Sequence, residues 1–174
     1  MLTAIILATE DTKAITRTLN ALIGATVEGF VREVVLLAAP NNHVAAEIAD
    51  EAGCELLDAL SFGTAIFTAK GSWLVILEAG AFPESGWVEA LSDHIQSSTS
   101  AARFKRSPLA PRKLFDRLFQ PEKPLCLGLI IEKQAALALG SDALQHPEIL
   151  AKSAKAKIKL AALRPASNAH QASA

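Results

Sequence analysis

The chain has 174 residues, 51% of them hydrophobic and 20% charged, a balance that predicts one globular domain and excludes a disordered polymer. No apolar run reaches the roughly 18–20 residues of a membrane span, and the opening residues carry no basic region ahead of a long apolar one, so neither a spanning helix nor a secretory leader is expected. Net charge is −1, but residues 1–100 carry 4 Lys and Arg against 13 Asp and Glu, and residues 101–174 carry 13 against 5.

Leu2–Ala8 is a continuous apolar run of strand length, as in a strand buried on both faces. Ile15, Leu19, Leu22 and Ile23 follow at helical spacing, with Gly24 as the expected stop. Val31–Leu37 is a second strand, broken by Pro40-Asn41-Asn42, where Asn42 suits a helix N-cap. Val44, Ile48 and Ala52 form the next helical stripe, closed by Gly53, and Cys54–Leu57 is a short third strand. Gly63–Lys70 reads as helix, Trp73–Leu77 as a fourth strand, Pro83–Gly86 as a turn, and Trp87, Val88, Leu91 and Ile95 as another helix. Further on, the pattern predicts a strand at Ala101–Phe104 and a short helix over Arg112–Phe119 between prolines. It then gives a strand at Leu125–Ile131, a helix over Lys133–Leu139, and a last helix from Pro147 to Leu163. The domain is expected to span residues 1–163, with 164–174 a disordered tail.

Strands alternating with single amphipathic helices predict βαβ units and a mostly parallel sheet between helical layers. Right-handed crossovers place the loops after the strands on one rim, where ligands bind in such sheets. The rim loops are then Thr9–Thr12, Ala38–Asn42 and Glu78–Ala81.

Several chemistries are absent from the sequence. There is no GxGxxG after the first strand, no GxxxxGK[ST] and no GxSxG. The four histidines have no paired ligand spacing, and Cys54 and Cys126 fit no metal or redox pattern, so both are expected as reduced thiols. Aromatics are 5% and Tyr is absent, so no nucleic-acid stacking platform is expected. Two basic clusters stand out. Arg103, Lys105, Arg106, Arg112 and Lys113 suit a diphosphate or an anionic surface. Lys152, Lys155 and Lys159 share one face of the expected last helix, with Lys157 off it, and that face suits peripheral contact with anionic lipid. An ordinary packed helix is the alternative.

The segment Trp73-Leu74-Val75-Ile76-Leu77-Glu78-Ala79-Gly80, followed by Pro83-Glu84-Ser85-Gly86-Trp87, resembles family 2 glycosyltransferases, which carry an acidic-x-Asp motif at the end of a buried strand ahead of a Pro-x-x-Trp-like helix start. The resemblance extends back through Gly63–Lys70, Phe30–Leu37 and Ala4–Leu22 and forward through Leu127–Ile131 and Ala138-Leu139-Gly140, covering roughly residues 2–140. It implies a GT-A-like three-layer α/β/α sandwich and transfer of a sugar from a nucleotide-sugar donor to an acceptor. It also implies that Thr9, Glu10, Asp11 and Asn41 line the donor pocket, that Glu78 approaches the diphosphate, and that Arg103, with Lys105 or Arg106, compensates its charge.

The motif departs from the family at its second acid, which here is Gly80. Two hard oxygen ligands hold the family's divalent cation, so no cofactor is expected, and Mn²⁺ or Mg²⁺ enters only if a nucleotide diphosphate completes the site at Glu78. The place after the second strand, Ala38-Ala39-Pro40-Asn41, also lacks the family's acid. Asp142 and Glu148 are the candidates for the general base. Each of these acids has a plainer alternative: Glu78 as a solvated strand end, Asp11 as a helix cap. The competing function is a catalytically inactive GT-A-like binding module. A nucleotidyltransferase ranks third, because the Ala8–Thr12 loop lacks that class's glycines. A cytoplasmic location is expected, with or without contact at the inner membrane face.

Overall fold

The computed structural model describes residues 1–112 and 122–166. Among the described residues, eight strands form one sheet in the order β3-β2-β1-β4-β7-β6-β8-β5. They are β1 (Leu2–Leu7), β2 (Val31–Ala38), β3 (Glu55–Asp58), β4 (Trp73–Glu78), β5 (Phe82–Pro83), β6 (Ala102–Arg106), β7 (Leu129–Glu132) and β8 (Ile158–Arg164). Strands β3, β2, β1 and β4 run parallel, as do β6 and β8, while β7 is antiparallel to both its neighbours and β5 to β8.

Helices cover both faces, which is why β1 and β4 are apolar at nearly every position. On one face Leu2, Ala4, Ile6, Val75 and Leu77 pack with Ile15 and Leu22 of α1 (Thr12–Val27), Ala45 and Ile48 of α2 (His43–Ala52), and Trp87 and Leu91 of α4 (Trp87–Ser97). On the other, Ile5, Leu37, Leu74 and Ile76 pack with Phe62 and Ile66 of α3 (Phe62–Thr68), Ala136 of α5 (Lys133–Ala138) and Leu150 of α6 (Pro147–Ser153). The expected three-layer α/β/α sandwich is therefore present.

Local signals hold where the chain makes its own boundary. Asn42 caps α2, its Oδ1 accepting from Ala45 N at 3.0 Å, and Gly53 ends that helix at φ 65°. Gly24 does not stop α1. An added Cβ there meets nothing within 4 Å, the helix runs on to Val27, and Gly29 at φ 73° turns the chain. The run Leu125–Ile131 is strand only from Leu129, because Gly128 at φ 66° closes a turn onto Leu125 O.

The largest correction concerns Pro147–Leu163. Helix α6 ends at Ser153, Lys155 takes φ 47°, and Ile158–Arg164 is strand β8. No large apolar residue between Leu150 and Ile158 holds a helical face, and β6 offers a backbone edge that the segment fills in parallel register, Ala102 opposite Ile158 and Arg106 opposite Leu163. Lys152, Lys155 and Lys159 therefore share no helix. Arg164 belongs to β8 rather than to a tail: it lies opposite Phe82, with its guanidinium 4.4 Å from that ring and 3.2 Å from Glu84 Oε1. The expected helix over Arg112–Phe119 falls, beyond Arg112, outside the described residues, as do Lys113 and residues 167–174.

Candidate functional site at the sheet rim

The parallel strands end at one rim. Register places Glu78 level with Leu7, Leu7 level with Leu37, and Asp58 level with Ala38. Because β7 reverses and β6 reverses again, β6 and β8 end at this rim too, so Arg106 and Arg164 emerge beside the loops after β1, β2 and β4.

The loops after β1 and β2 are tied together. Asn42 Nδ2 donates to Thr9 O at 3.0 Å, and Thr9 Oγ1 accepts from Asp11 N at 3.3 Å. Asp11 is the N-cap of α1, its Oδ1 accepting from Lys13 N at 2.9 Å and Ala14 N at 3.3 Å. Asp11 thus does the work of a cap, and Glu10 stands exposed beside it. Asn41, at φ 68°, borders a cavity of about 240 Å³ between the ends of β2 and β3. Asp58 lines the same cavity, with Oδ1 accepting from Leu60 N at 2.7 Å. Asp58, a residue the sequence pattern passed over, thus places a carboxylate from the next strand beside the loop after β2. Its position just after the apolar run Cys54–Leu57 was the available signal.

Glu78 is half-buried at the end of β4. Burial pushes its carboxyl above the ordinary range; Lys123 opposes this, and the carboxylate of Glu148 reinforces it. Glu148 sits in the first turn of α6 and accepts from Leu125 N through Oε2 at 3.1 Å. The fold thus brings two acids far apart in sequence within electrostatic reach, with Lys123 beside them. Asp142 is exposed at the head of the short 3₁₀ turn Ala143–Gln145 and caps nothing with its side chain.

Gly80 is buried at φ 93°, and its amide donates to Ala14 O at 2.9 Å and Thr18 Oγ1 at 2.8 Å. Thr18 Oγ1 in turn donates to Ala81 O at 2.8 Å. The turn after β4 is fastened to α1 by backbone and hydroxyl groups, at the position where the motif this segment resembles has its second acid. A Cβ at position 80 would meet Ala166 at 3.4 Å. Among the described residues no group of three or more His, Cys, Asp or Glu side chains is placed to hold a metal ion. One half-buried carboxylate does not fit a divalent cation, which takes about six oxygen ligands.

The basic cluster divides. Arg106 is engaged by Glu122 and donates to Ala110 O at 3.3 Å. Lys105 is exposed. Arg103 points to the α6 side of the sheet, where its Nε is buried with no hydrogen-bond partner among the described residues.

No protein-family model matches the sequence, and no curated protein does. Solved structures match in shape. Glucosyl-3-phosphoglycerate synthase from Mycobacterium tuberculosis, in complex with Mn²⁺, UDP and glucosyl-3-phosphoglycerate, superposes with a TM-score of 0.63 at 13% identity, over 96% of this chain and 72% of that one. The fold is that of the GT-A glycosyltransferases. S. aureus TarS 1-349 gives 0.62 at 14% identity, over 95% and 60%, and mannosyl-3-phosphoglycerate synthase from Rubrobacter xylanophilus gives 0.56 at 12%, over 77% and 54%. The chain thus spans little more than half the length of some of these GT-A enzymes.

Proposed function

We propose that this protein is a glycosyltransferase of family 2 type, moving a sugar from a nucleotide-sugar donor to an acceptor hydroxyl at the rim of the sheet. The observation that carries the reading is the half-buried carboxylate of Glu78 at the rim end of β4, with Glu148 of α6 near enough to push its pKa up, in a fold whose solved neighbours include a mannosyltransferase with GDP-Man and Mn²⁺. In this reading the nucleoside occupies the cavity bordered by Asn41 and Asp58, within reach of the Thr9–Asp11 loop. Transfer forms a bond from the acceptor oxygen to the anomeric carbon as the bond to the diphosphate breaks. Glu148 takes the hydroxyl's proton, and Lys123 faces the charge developing on the leaving diphosphate. The described residues alone supply no divalent site, so a cation would come with the nucleotide, with Glu78 the side chain placed to approach it.

A second reading is favoured by Gly80 itself. With its amide committed to α1 and no side chain, the motif position is built for a stable turn, as in a non-catalytic module that binds nucleotide sugar without turnover. No helix among the described residues is long and apolar enough to cross a membrane. Anionic membrane contact would rest on scattered lysines rather than on a helical face, and the cytoplasm is the proposed location.

Release of nucleoside diphosphate from UDP- and GDP-sugars, measured with and without candidate acceptors, tests the enzyme. Turnover that falls at least tenfold in Glu148→Gln supports it. Tight nucleotide-sugar binding with no release under any condition selects the binding module.

A further inference from the structure

Beside the rim, on the α6 face, lies a second cavity of about 210 Å³ between β6, β7 and α6. Arg103 from β6, Lys152 from the last turn of α6 and Lys155 from the turn after it line it, with Pro124, Leu129 and Ala151 among its apolar walls. No acidic residue is among its lining residues. Arg103 Nε is buried there with no hydrogen-bond partner among the described residues, so no described acceptor answers that donor. Three cations converging on a small concavity with no acidic side chain among its described lining residues favour a multiply charged anion. Unlike the cavity at Asn41 and Asp58, this one has no amide, hydroxyl or carboxylate side chain among its lining residues to hold a base or ribose, which favours a phosphate on a short carbon chain over a nucleotide.

Position gives the cavity a role. Lys152 stands four residues beyond Glu148 on α6, about 6 Å along the axis, so a ligand anchored by its phosphate would extend toward Glu148 and Glu78.

We propose that this cavity, through Arg103, Lys152 and Lys155, binds the phosphomonoester group of the acceptor, which makes the acceptor a small phosphorylated hydroxyl compound. The identification as acceptor rests on the glycosyltransferase reading above; the anion site itself does not.

The test is isothermal titration of glycerol 3-phosphate and inorganic phosphate into the full chain and its Arg103→Gln and Lys152→Gln variants, with UDP titrated into the same samples. Saturable phosphomonoester binding is expected, weakened about tenfold or more in each variant, with UDP affinity unchanged. Lys152 is exposed, so its variant keeps the test valid where Arg103→Gln disturbs folding. Absence of phosphomonoester binding, or equal affinity in both folded variants, overturns the site even if UDP binds. Phosphomonoester binding that depends on Arg103 in a protein that binds no nucleotide or nucleotide sugar upholds the site and sinks the transferase reading. A parallel loss of UDP affinity in the variants assigns the cavity to the donor and overturns the acceptor identification. Vesicles containing phosphatidic acid form a separate arm: Arg103-dependent binding to them, with a weak response to the soluble compound, upholds the chemistry and assigns the phosphate to a lipid headgroup.

Discussion

Replacing Thr18 with valine removes one hydroxyl at almost constant volume, at the point where the rim turn is fastened to α1. Thr18 is fully buried; its Oγ1 accepts from Gly80 N and donates to Ala81 O, both at 2.8 Å. Valine deprives Ala81 O of that donor in a dry site, while Gly80 N retains Ala14 O at 2.9 Å. One buried group left unpaired costs about 1–3 kcal/mol, so a loss near 2 kcal/mol is expected. For a chain of this length each kcal/mol shifts the melting temperature by about 2–4 °C, giving a fall of about 4–8 °C. Thr18→Ser keeps the hydroxyl and loses only a methyl, so it should lie much closer to the parent. Urea and thermal denaturation of the three proteins measure this directly. A Thr18→Val protein as stable as the parent, or a serine variant that is the weaker of the two, refutes the claim that these hydrogen bonds anchor the turn.

The raised pKa of Glu78 means that the folded state binds its proton more tightly than the unfolded state, so stability is lost as pH rises from the unfolded value through the folded one. Glu78→Gln should therefore melt higher than the parent at pH 8, with the gap closing toward pH 4; a gap independent of pH contradicts the burial argument. Gly71→Ala should cost about 3 kcal/mol, because its Cβ would sit 2.5 Å from Thr3 N and 2.7 Å from Leu2 C, backbone atoms that cannot swing aside. Gly24→Ala, with open space around it in the last turn of α1, should instead gain about 0.5 kcal/mol, and chemical denaturation of the pair checks both signs. Burial, reinforced by the Glu122 carboxylate, pushes the Cys126 thiol up to about 12, so in a Cys54→Ser background it should resist thiol reagents at pH 8 until urea unfolds the chain. Labelling at the rate of a free thiol in native buffer would contradict that environment.

The first half of the fold is legible in the sequence because each element there answers to a local rule. Two-sided burial makes β1 and β4 unbroken apolar runs, and Asn42 and Gly53 bound α2 by cap chemistry. The second half is decided by partners distant in the chain. Ile158–Arg164 has the lysine and alanine content of a helix, and it becomes a strand because β6 lies open beside it. The site divides the same way. Glu78 is marked by its place at the end of a strand, and Asp11 is readable either as a ligand or as a cap, of which the fold uses the cap. The proximity of Glu148 and Lys123 to Glu78 exists only once β7 has reversed against β4 and α6 has folded back. Asp58 escaped because the resemblance directs attention to the loop after β2, whereas this carboxylate borders that loop from the end of β3.

The central claim, a GT-A fold used to engage a nucleotide sugar at the rim, is tested most directly by calorimetric titration of UDP- and GDP-sugars into the protein, with and without Mn²⁺, alongside Asp58→Ala and Glu78→Ala. The account predicts saturable binding to at least one nucleotide sugar, strengthened by Mn²⁺ only when the diphosphate is present, weakened by both substitutions, and no heat from Mn²⁺ alone. Absence of binding to every nucleotide sugar, or binding indifferent to both substitutions, would contradict it.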